Sequence, residues 1–81
     1  MFITSETKVW ICNETIDFRR ASIDGLSMFV AGSFNMQPAS GELFVFYNRY
    51  CDKLKILYWD NDGFALWYKR LEKINLSFRE N

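Results

Sequence analysis

The strongest constraint on the fold is a turn sequence between two β-type segments. The tetrapeptide Asp60-Asn61-Asp62-Gly63 contains residue types that tolerate the positive φ angles of tight hairpins. The flanking residues 53–59 and 64–71 are rich in aliphatic and aromatic side chains, as strands are. The sequence therefore predicts a β-hairpin, on which the rest of the chain must pack.

Side-chain alternation makes the register of this hairpin decisive. A three-residue loop with Gly63 in the left-handed conformation places Tyr58 opposite Leu66 and Leu57 opposite Trp67. One face is then purely apolar and aromatic, and a loop of two or four residues would scramble this pattern. We prefer the consistent register, in which the opposite face mixes cations with tryptophans: Lys53, Lys55, Trp59, Trp67 and Lys69.

The remaining elements follow from periodicity and from capping residues. Residues 8–12 and 42–47 have strand composition, and residues 74–78 alternate like a short edge strand. Ser22 is a good N-cap for a helix that ends at a Gly32 C-cap. One face of that helix carries Ile23, Leu26, Phe29 and Val30. We predict a single α+β domain over residues 1–81, an antiparallel β-meander of three to five strands with one helix packed on its apolar face.

Composition excludes several classes of protein. The 81 residues contain no histidine, which removes Ser-His and Cys-His nucleophile pairs and the usual general base near neutral pH. Two cysteines without histidine cannot form a four-ligand Cys/His zinc site, and we expect two reduced, mostly buried thiols. No apolar run approaches the ~20 residues that span a bilayer. We expect a cytoplasmic protein with no membrane contact, no cofactor and no bound metal.

The net charge is zero, but it is unevenly distributed. Residues 1–42 sum to −2 and residues 43–73 to +2, and the positive part interleaves cations with aromatic side chains. Such a surface can hold phosphates while rings stack on bases. An ordinary solvated sheet face with snorkelling lysines gives the same pattern, so both interpretations stay open. The DNA-binding candidates are Arg19, Arg20, Arg49, Lys53, Lys55, Trp59, Trp67, Lys69 and Arg70.

The aspartates allow a third hypothesis, a metal-dependent nuclease. Three carboxylates can chelate a divalent cation for phosphoryl transfer. Asp60 and Asp62, however, occupy a turn that favours Asp in any case, and Asp24 suits the first turn of a helix. We therefore rank a catalytic metal cluster last and expect no enzymatic activity.

A long motif runs through the second half of the chain. It has the pattern F-x-F-x-N-R-x-x-D-x-L-K-x-L-x-W-x-x-x-G-F from Phe44 to Phe64, followed by Lys69-Arg70-Leu71-Glu72. Upstream lie Asp17-Phe18-Arg19-Arg20 and Ile23-Asp24-Gly25-Leu26. Over roughly residues 8–73 the chain closely resembles the TnpB accessory proteins, the second open reading frame products of insertion sequence 66-type elements.

The resemblance implies a bacterial mobile-element protein that is encoded beside a separate transposase and assists transposition without being an enzyme. We expect it to bind the cognate transposase, DNA at the element ends, or both. The alternative is a protein-interaction module or homo-oligomer that does not bind DNA directly. The family's recurrent basic positions correspond to Arg19, Arg49, Lys55, Lys69 and Arg70, and its acidic ones to Asp17, Asp24, Asp52 and Asp60.

Overall fold

A computed structural model describes residues 3–72 of the chain, which form one sheet and one α-helix. The sheet has the strand order β1-β2-β3-β4. Its strands are β1 (Val9–Ile11), β2 (Leu43–Tyr47), β3 (Lys53–Trp59) and β4 (Phe64–Arg70), and the helix is α1 (Ile23–Ser33). Two 3₁₀ turns, Phe18–Arg20 and Pro38–Ser40, flank the helix. The α+β class with one helix is confirmed, and the edge strand predicted at 74–78 lies outside the described residues.

The sheet is mixed, so the prediction of a purely antiparallel meander was wrong at one edge. Strands β2, β3 and β4 are consecutive and antiparallel, but β1 runs parallel to β2, with Trp10 opposite Phe44. A parallel connection needs a crossover of a dozen or more residues. Residues 12–42, which contain α1, provide that crossover and return the chain to the same end of the sheet.

Helix α1 begins as the sequence predicts and ends later. The Ser22 hydroxyl accepts a hydrogen bond from the Gly25 N–H at 3.1 Å, which makes Ser22 the N-cap. The helix continues through Gly32 to Ser33, and Phe34 is the C-cap, so the predicted Gly32 cap was wrong. The ring of Phe34 packs on Phe29 at 5.2 Å between centroids, a contact that favours the two further helical residues.

The hydrophobic core lies between α1 and one face of the sheet. Leu26 and Val30 of the helix pack against Phe44, Phe46 and Leu57 of the central strands, and all five side chains are buried. Burying each of these large side chains contributes roughly 1.5–3 kcal/mol, so the helix is held mainly by this contact.

The β3–β4 hairpin has a four-residue connection, and this overturns the predicted register. Trp59 pairs with Phe64, and their rings meet edge to face at 5.1 Å. Residues 60–63 form the turn, in which Asn61, not Gly63, adopts positive φ, at 65°. Leu57 consequently lies opposite Leu66, one position away from the predicted pairing. A shift of one residue moves every β4 side chain to the other face.

The two faces of the sheet therefore differ from those predicted. The core face, which α1 covers, carries Phe44, Phe46, Lys53, Lys55, Leu57, Trp59, Phe64, Leu66 and Tyr68. The opposite face, which we call the open face, carries Val9, Ile11, Leu43, Val45, Tyr47, Leu54, Ile56, Tyr58, Ala65, Trp67 and Lys69. Leu43 is buried there, and the exposed members are Val9, Ile11, Trp67 and Lys69. The predicted mixed face of lysines and tryptophans is thus divided between two sides of the sheet.

The two cysteines differ in burial. Cys12 is buried in the core as predicted, whereas Cys51 is exposed in the β2–β3 turn with a φ of 57°.

Within residues 3–72, α1 is too short to cross a bilayer, and no other helix there is long and apolar enough to do so.

Gly25 is required by a close approach of the backbone. A Cβ added at this position would lie 2.6 Å from the carbonyl oxygen of Arg20, closer than real Cβ contacts. A Cβ added at Gly32 would meet no atom within 4 Å. The two glycines of one helix therefore differ only in their surroundings and form a matched pair.

We expect Gly25→Ala to lower the free energy of unfolding by about 1–3 kcal/mol, because the backbone around Arg20 must move. Gly32→Ala should raise it by about 0.5–1 kcal/mol, because alanine loses less backbone entropy in a helix. Urea denaturation followed by circular dichroism measures both changes. Equal effects of the two substitutions would contradict the assigned close approach.

Candidate nucleic-acid interface

A compact hydrogen-bonded turn joins β2 to β3 at one end of the sheet. The buried Asn48 side chain donates to the Asp52 carboxylate at 2.7 Å. Its carbonyl oxygen accepts from the backbone N–H groups of Asp52 and Lys53, at 3.0 and 2.9 Å. The Asn48 amide thus satisfies backbone N–H groups of the turn that no neighbouring strand pairs. Arg49 and Tyr50 project from this turn into solvent.

The segment before the helix lies beside this turn. The Ile16 N–H donates to the Tyr47 carbonyl at 3.0 Å, so residues leading to the Phe18–Arg20 turn run along the end of β2. The carboxylate of Asp17 accepts from the Arg19 backbone N–H at 3.0 Å and from the Arg19 guanidinium at 3.0 and 2.8 Å. These bonds hold the guanidinium, which remains exposed to solvent, near the end of β2.

Two adjoining cavities form a groove where these segments meet the core face. One has a volume of about 550 Å³ and contains Lys55 and Tyr68 in its wall. The other measures about 470 Å³ and contains Arg49 and Tyr50. Both share Phe18, Arg19 and Lys53. The basic groove is defined by these seven residues.

Lys55 has a structural role inside the groove. Its Nζ donates to the Ala21 carbonyl at 2.8 Å and lies 4.9 Å from the centroid of the Phe18 ring. The Tyr68 ring centroid is 5.9 Å from the same nitrogen. The half-buried ammonium therefore ties the start of α1 to the sheet through a charged hydrogen bond and cation–π contacts.

The groove unites part of the predicted set of cations. Arg19, Arg49, Lys53 and Lys55 line it. Arg20 is exposed in the same 3₁₀ turn as Arg19, and Arg70 is the cross-strand partner of Lys53, with its side chain bonded to Glu72 at 3.0 Å. Six of the nine predicted residues therefore lie at or near one end of the sheet.

The other three predicted residues lie elsewhere. Trp59 is at the opposite end of the hairpin and packs on Phe64. Trp67 and Lys69 are on the open face, where the Lys69 Nζ lies 5.9 Å from the Trp67 ring centroid. The register differs by one residue from the predicted one, so the predicted face of mixed lysines and tryptophans is not formed by β3 and β4.

The aromatic residues of the groove were not selected from sequence. They are Phe18, Tyr50 and Tyr68, of which Tyr50 is 78% exposed and Tyr68 is 52% exposed. Tyr50 follows Arg49 in a polar turn. An aromatic residue in such a turn indicates an exposed ring, so Tyr50 could have been predicted as a binding residue from the sequence. Tyr68 could be recognised only with the correct hairpin register, which sets it opposite Lys55.

The charges of the groove are partly neutralised. Between residues 3 and 72 the salt bridges are Arg19–Asp17 and Arg70–Glu72, at 2.8 and 2.9 Å. The hydrogen bonds from Arg19 lower the pKa of Asp17 to about 2, and the nearby carboxylate raises the pKa of Arg19. Arg49, Lys53 and Lys55 take part in neither salt bridge, so they supply the groove's excess positive charge. Of the three, Lys55 already donates to the Ala21 carbonyl.

The acidic residues serve local structure in separate places. Asp17 binds Arg19, Asp24 lies in the first turn of α1, and Asp52 belongs to the Asn48 turn. The Asp60 N–H donates to the Gly63 carbonyl at 2.7 Å in the hairpin turn. The described part of the chain brings no three Cys, Asp or Glu side chains together into a group that could hold a metal ion.

Known proteins support the identification suggested by the motif. A family model described as "IS66 Orf2 like protein" matches residues 7–81. The uncharacterised protein y4jC of Sinorhizobium fredii is 35% identical over 65 residues, which cover 80% of this chain and 55% of that protein. The uncharacterised protein y4hO of the same organism is 33% identical over 66 residues, 82% and 56% of the respective chains.

The family match covers nearly the whole chain, whereas the chain covers only part of each relative. The family match begins at residue 7, one residue before the predicted core of 8–73, and continues to residue 81, eight residues beyond it. The chain spans about half the length of these two relatives. No solved structure matches the chain significantly.

Replacing Arg19 tests the electrostatics of the groove. We expect Arg19→Gln to raise the pKa of Asp17 from about 2 toward its ordinary value of 3.8, because the guanidinium hydrogen bonds are lost. In the unaltered protein the ion pair stabilises the fold above about pH 4 and is lost as the pH falls toward 2. An NMR titration of the Asp17 carboxyl carbon measures the shift. Arg49→Gln is the control and should leave this pKa unchanged; an equal rise would contradict the assigned pairing.

Proposed function

Because the chain belongs to the IS66 Orf2-like family, we propose that it is a non-enzymatic accessory protein of insertion-sequence transposition that contacts DNA through the basic groove. The observation that carries the DNA contact is the convergence of Arg19, Arg49 and Lys53 on one groove with exposed aromatic rings. The family membership supports the transposition role, and the groove supports the mode of contact.

The chemistry of the groove suits a phosphate backbone. Lysine and arginine side chains bind phosphate oxygens without reading sequence, and they release condensed counterions when they do so. Tyr50 is exposed beside Arg49 and can stack on an unpaired base or lie against a sugar. Since Arg19 is already paired with Asp17, the strongest contributions should come from Arg49 and Lys53.

The contact should be local and modest in affinity. The whole chain has zero net charge, so no long-range field draws it to DNA. Within residues 3–72 the groove has three cations outside the salt bridges, Arg49, Lys53 and Lys55, and Lys55 is already bonded to the Ala21 carbonyl. So few cations neutralise few phosphates, which gives weak binding at physiological salt. Binding to the element ends therefore depends on a partner that adds further contacts, and the cognate transposase is the partner that the family implies.

Salt dependence of DNA binding tests the groove. We expect the protein to bind a labelled duplex of the element end, with a double-logarithmic salt slope that becomes less negative by about 2 in an Arg49→Gln, Lys53→Gln variant. Fluorescence anisotropy over a range of salt concentrations gives the slope, and affinity should fall several-fold at low salt.

Lys69→Gln is the control, because it removes one exposed lysine from the open face. It removes one charge where the groove variant removes two, so the slope change is judged per charge removed. It should change the salt slope by much less than the groove variant. Undetectable binding at low salt, or an equal loss in the Lys69 variant, would reject the groove as the contact surface.

Partner binding is tested separately by co-purification with the cognate transposase. We expect the transposase to be retained, and nuclease treatment decides whether DNA bridges the two proteins. Retention after nuclease treatment indicates direct contact, whereas loss indicates bridging by DNA. No retention under either condition would contradict an accessory role that acts through the transposase.

A further inference from the structure

We propose that the open face of the sheet packs against the open face of a second copy of this chain. The helix α1 lies on the other side, with Leu26 and Val30 against the core face. Val45, Ile56 and Trp67 lie side by side across β2, β3 and β4 in the middle of the open face. Trp67 is 41% exposed, and the surface continues to the exposed Ile11 of β1.

The strands have the composition of a sheet that is covered on both sides. A sheet with one solvated face alternates apolar with polar residues, whereas strands buried on both faces read as continuous apolar runs. Strand β2 reads Leu-Phe-Val-Phe-Tyr without a polar residue, and β3 ends in Ile56-Leu57-Tyr58-Trp59. Alternate residues of each run lie on the core face under α1. The residues between them point to the open face, and an apolar partner on that face would cover them.

The charge on the open face fits a second copy. Lys69 is its one charged residue among the described strands, and it lies on the edge strand β4 beside the Trp67 ring. Two identical faces can therefore meet around a two-fold axis without a cluster of like charges. A nucleic acid would find little positive charge on this face, which distinguishes it from the basic groove.

The size of the face predicts a dimer that dissociates on dilution. Strands ~4.8 Å apart and ~3.3 Å per residue give the four-stranded sheet a plan area on the order of 400 Å². Two copies together cover about 800 Å² before projecting side chains are counted, close to the ~1,000 Å² expected of a specific interface. Two such sheets would pack about 10 Å apart as a sandwich.

The basic groove stays accessible in this dimer. Its Arg19 and Lys53 lie on the core-face side of the sheet, so pairing of the open faces places one groove on each outer side. Dimerisation and DNA contact therefore use different residues, and either can fail without the other.

Sedimentation equilibrium over a wide concentration range tests the proposal. The chain should be dimeric at high concentration and monomeric at low concentration. We expect Trp67→Lys to raise the dimer dissociation constant about thirtyfold or more, because it removes the largest exposed ring of the open face and places a charge in an apolar interface. Met28→Lys is the control, since Met28 is 73% exposed on the outside of α1, and it should change the constant by less than about twofold. Circular dichroism establishes that both variants fold.

A second measurement needs no variant. In a mixture of two differently isotope-labelled samples, intermolecular nuclear Overhauser effects should join the methyl groups of Val45 and Ile56 to open-face rings of the other copy. A monomer at all concentrations, a dimer unaffected by Trp67→Lys, or intermolecular contacts through α1 would overturn the proposal. Contacts from the open face to residues beyond 72 of the same chain would also overturn it.

Discussion

The structure depends on the contact between one helix and one face of a small sheet. Leu26 and Val30 bury themselves against Phe44, Phe46 and Leu57, and a chain this short has no second apolar layer of that size within the described residues. Domains of this length bury only about 60% of their unfolded surface, so one such contact decides whether the chain folds. This contact fixes the position of the helix. The Phe18–Arg20 turn precedes the helix directly, so the contact also decides where that turn and the groove lie.

Most of the recognisable motif serves this architecture. Asn48 and Asp52 build the β2–β3 turn, Gly25 allows the helix to pass close to the Arg20 carbonyl, and Lys55 joins Ala21 to the sheet. Arg49 differs, because it is exposed in the turn and takes part in neither described salt bridge. An exposed loop residue outside the salt bridges of residues 3–72 is the stronger candidate for a contact outside the molecule.

The sheet separates two kinds of surface that the sequence mixes. Cations and exposed rings gather at one end of the core-face side, where Arg19, Arg49 and Lys53 meet. The open face is apolar and carries one lysine, Lys69, at its edge. The first surface suits phosphate groups because it is positively charged. The second suits an apolar protein surface, because removing apolar area from water stabilises the contact.

The sequence by itself determined the α+β class, the Ser22 cap, the hairpin between β3 and β4, and the family, because these depend on local composition and on motif spacing. Only the tertiary structure decided the pairing of Trp59 with Phe64 and the parallel placement of β1. Asn61 rather than Gly63 takes positive φ, and that choice lengthens the turn by one residue. Alternation has a period of two, so this one residue exchanges the faces of β4, which put Tyr68 in the groove and moved Trp67 to the open face.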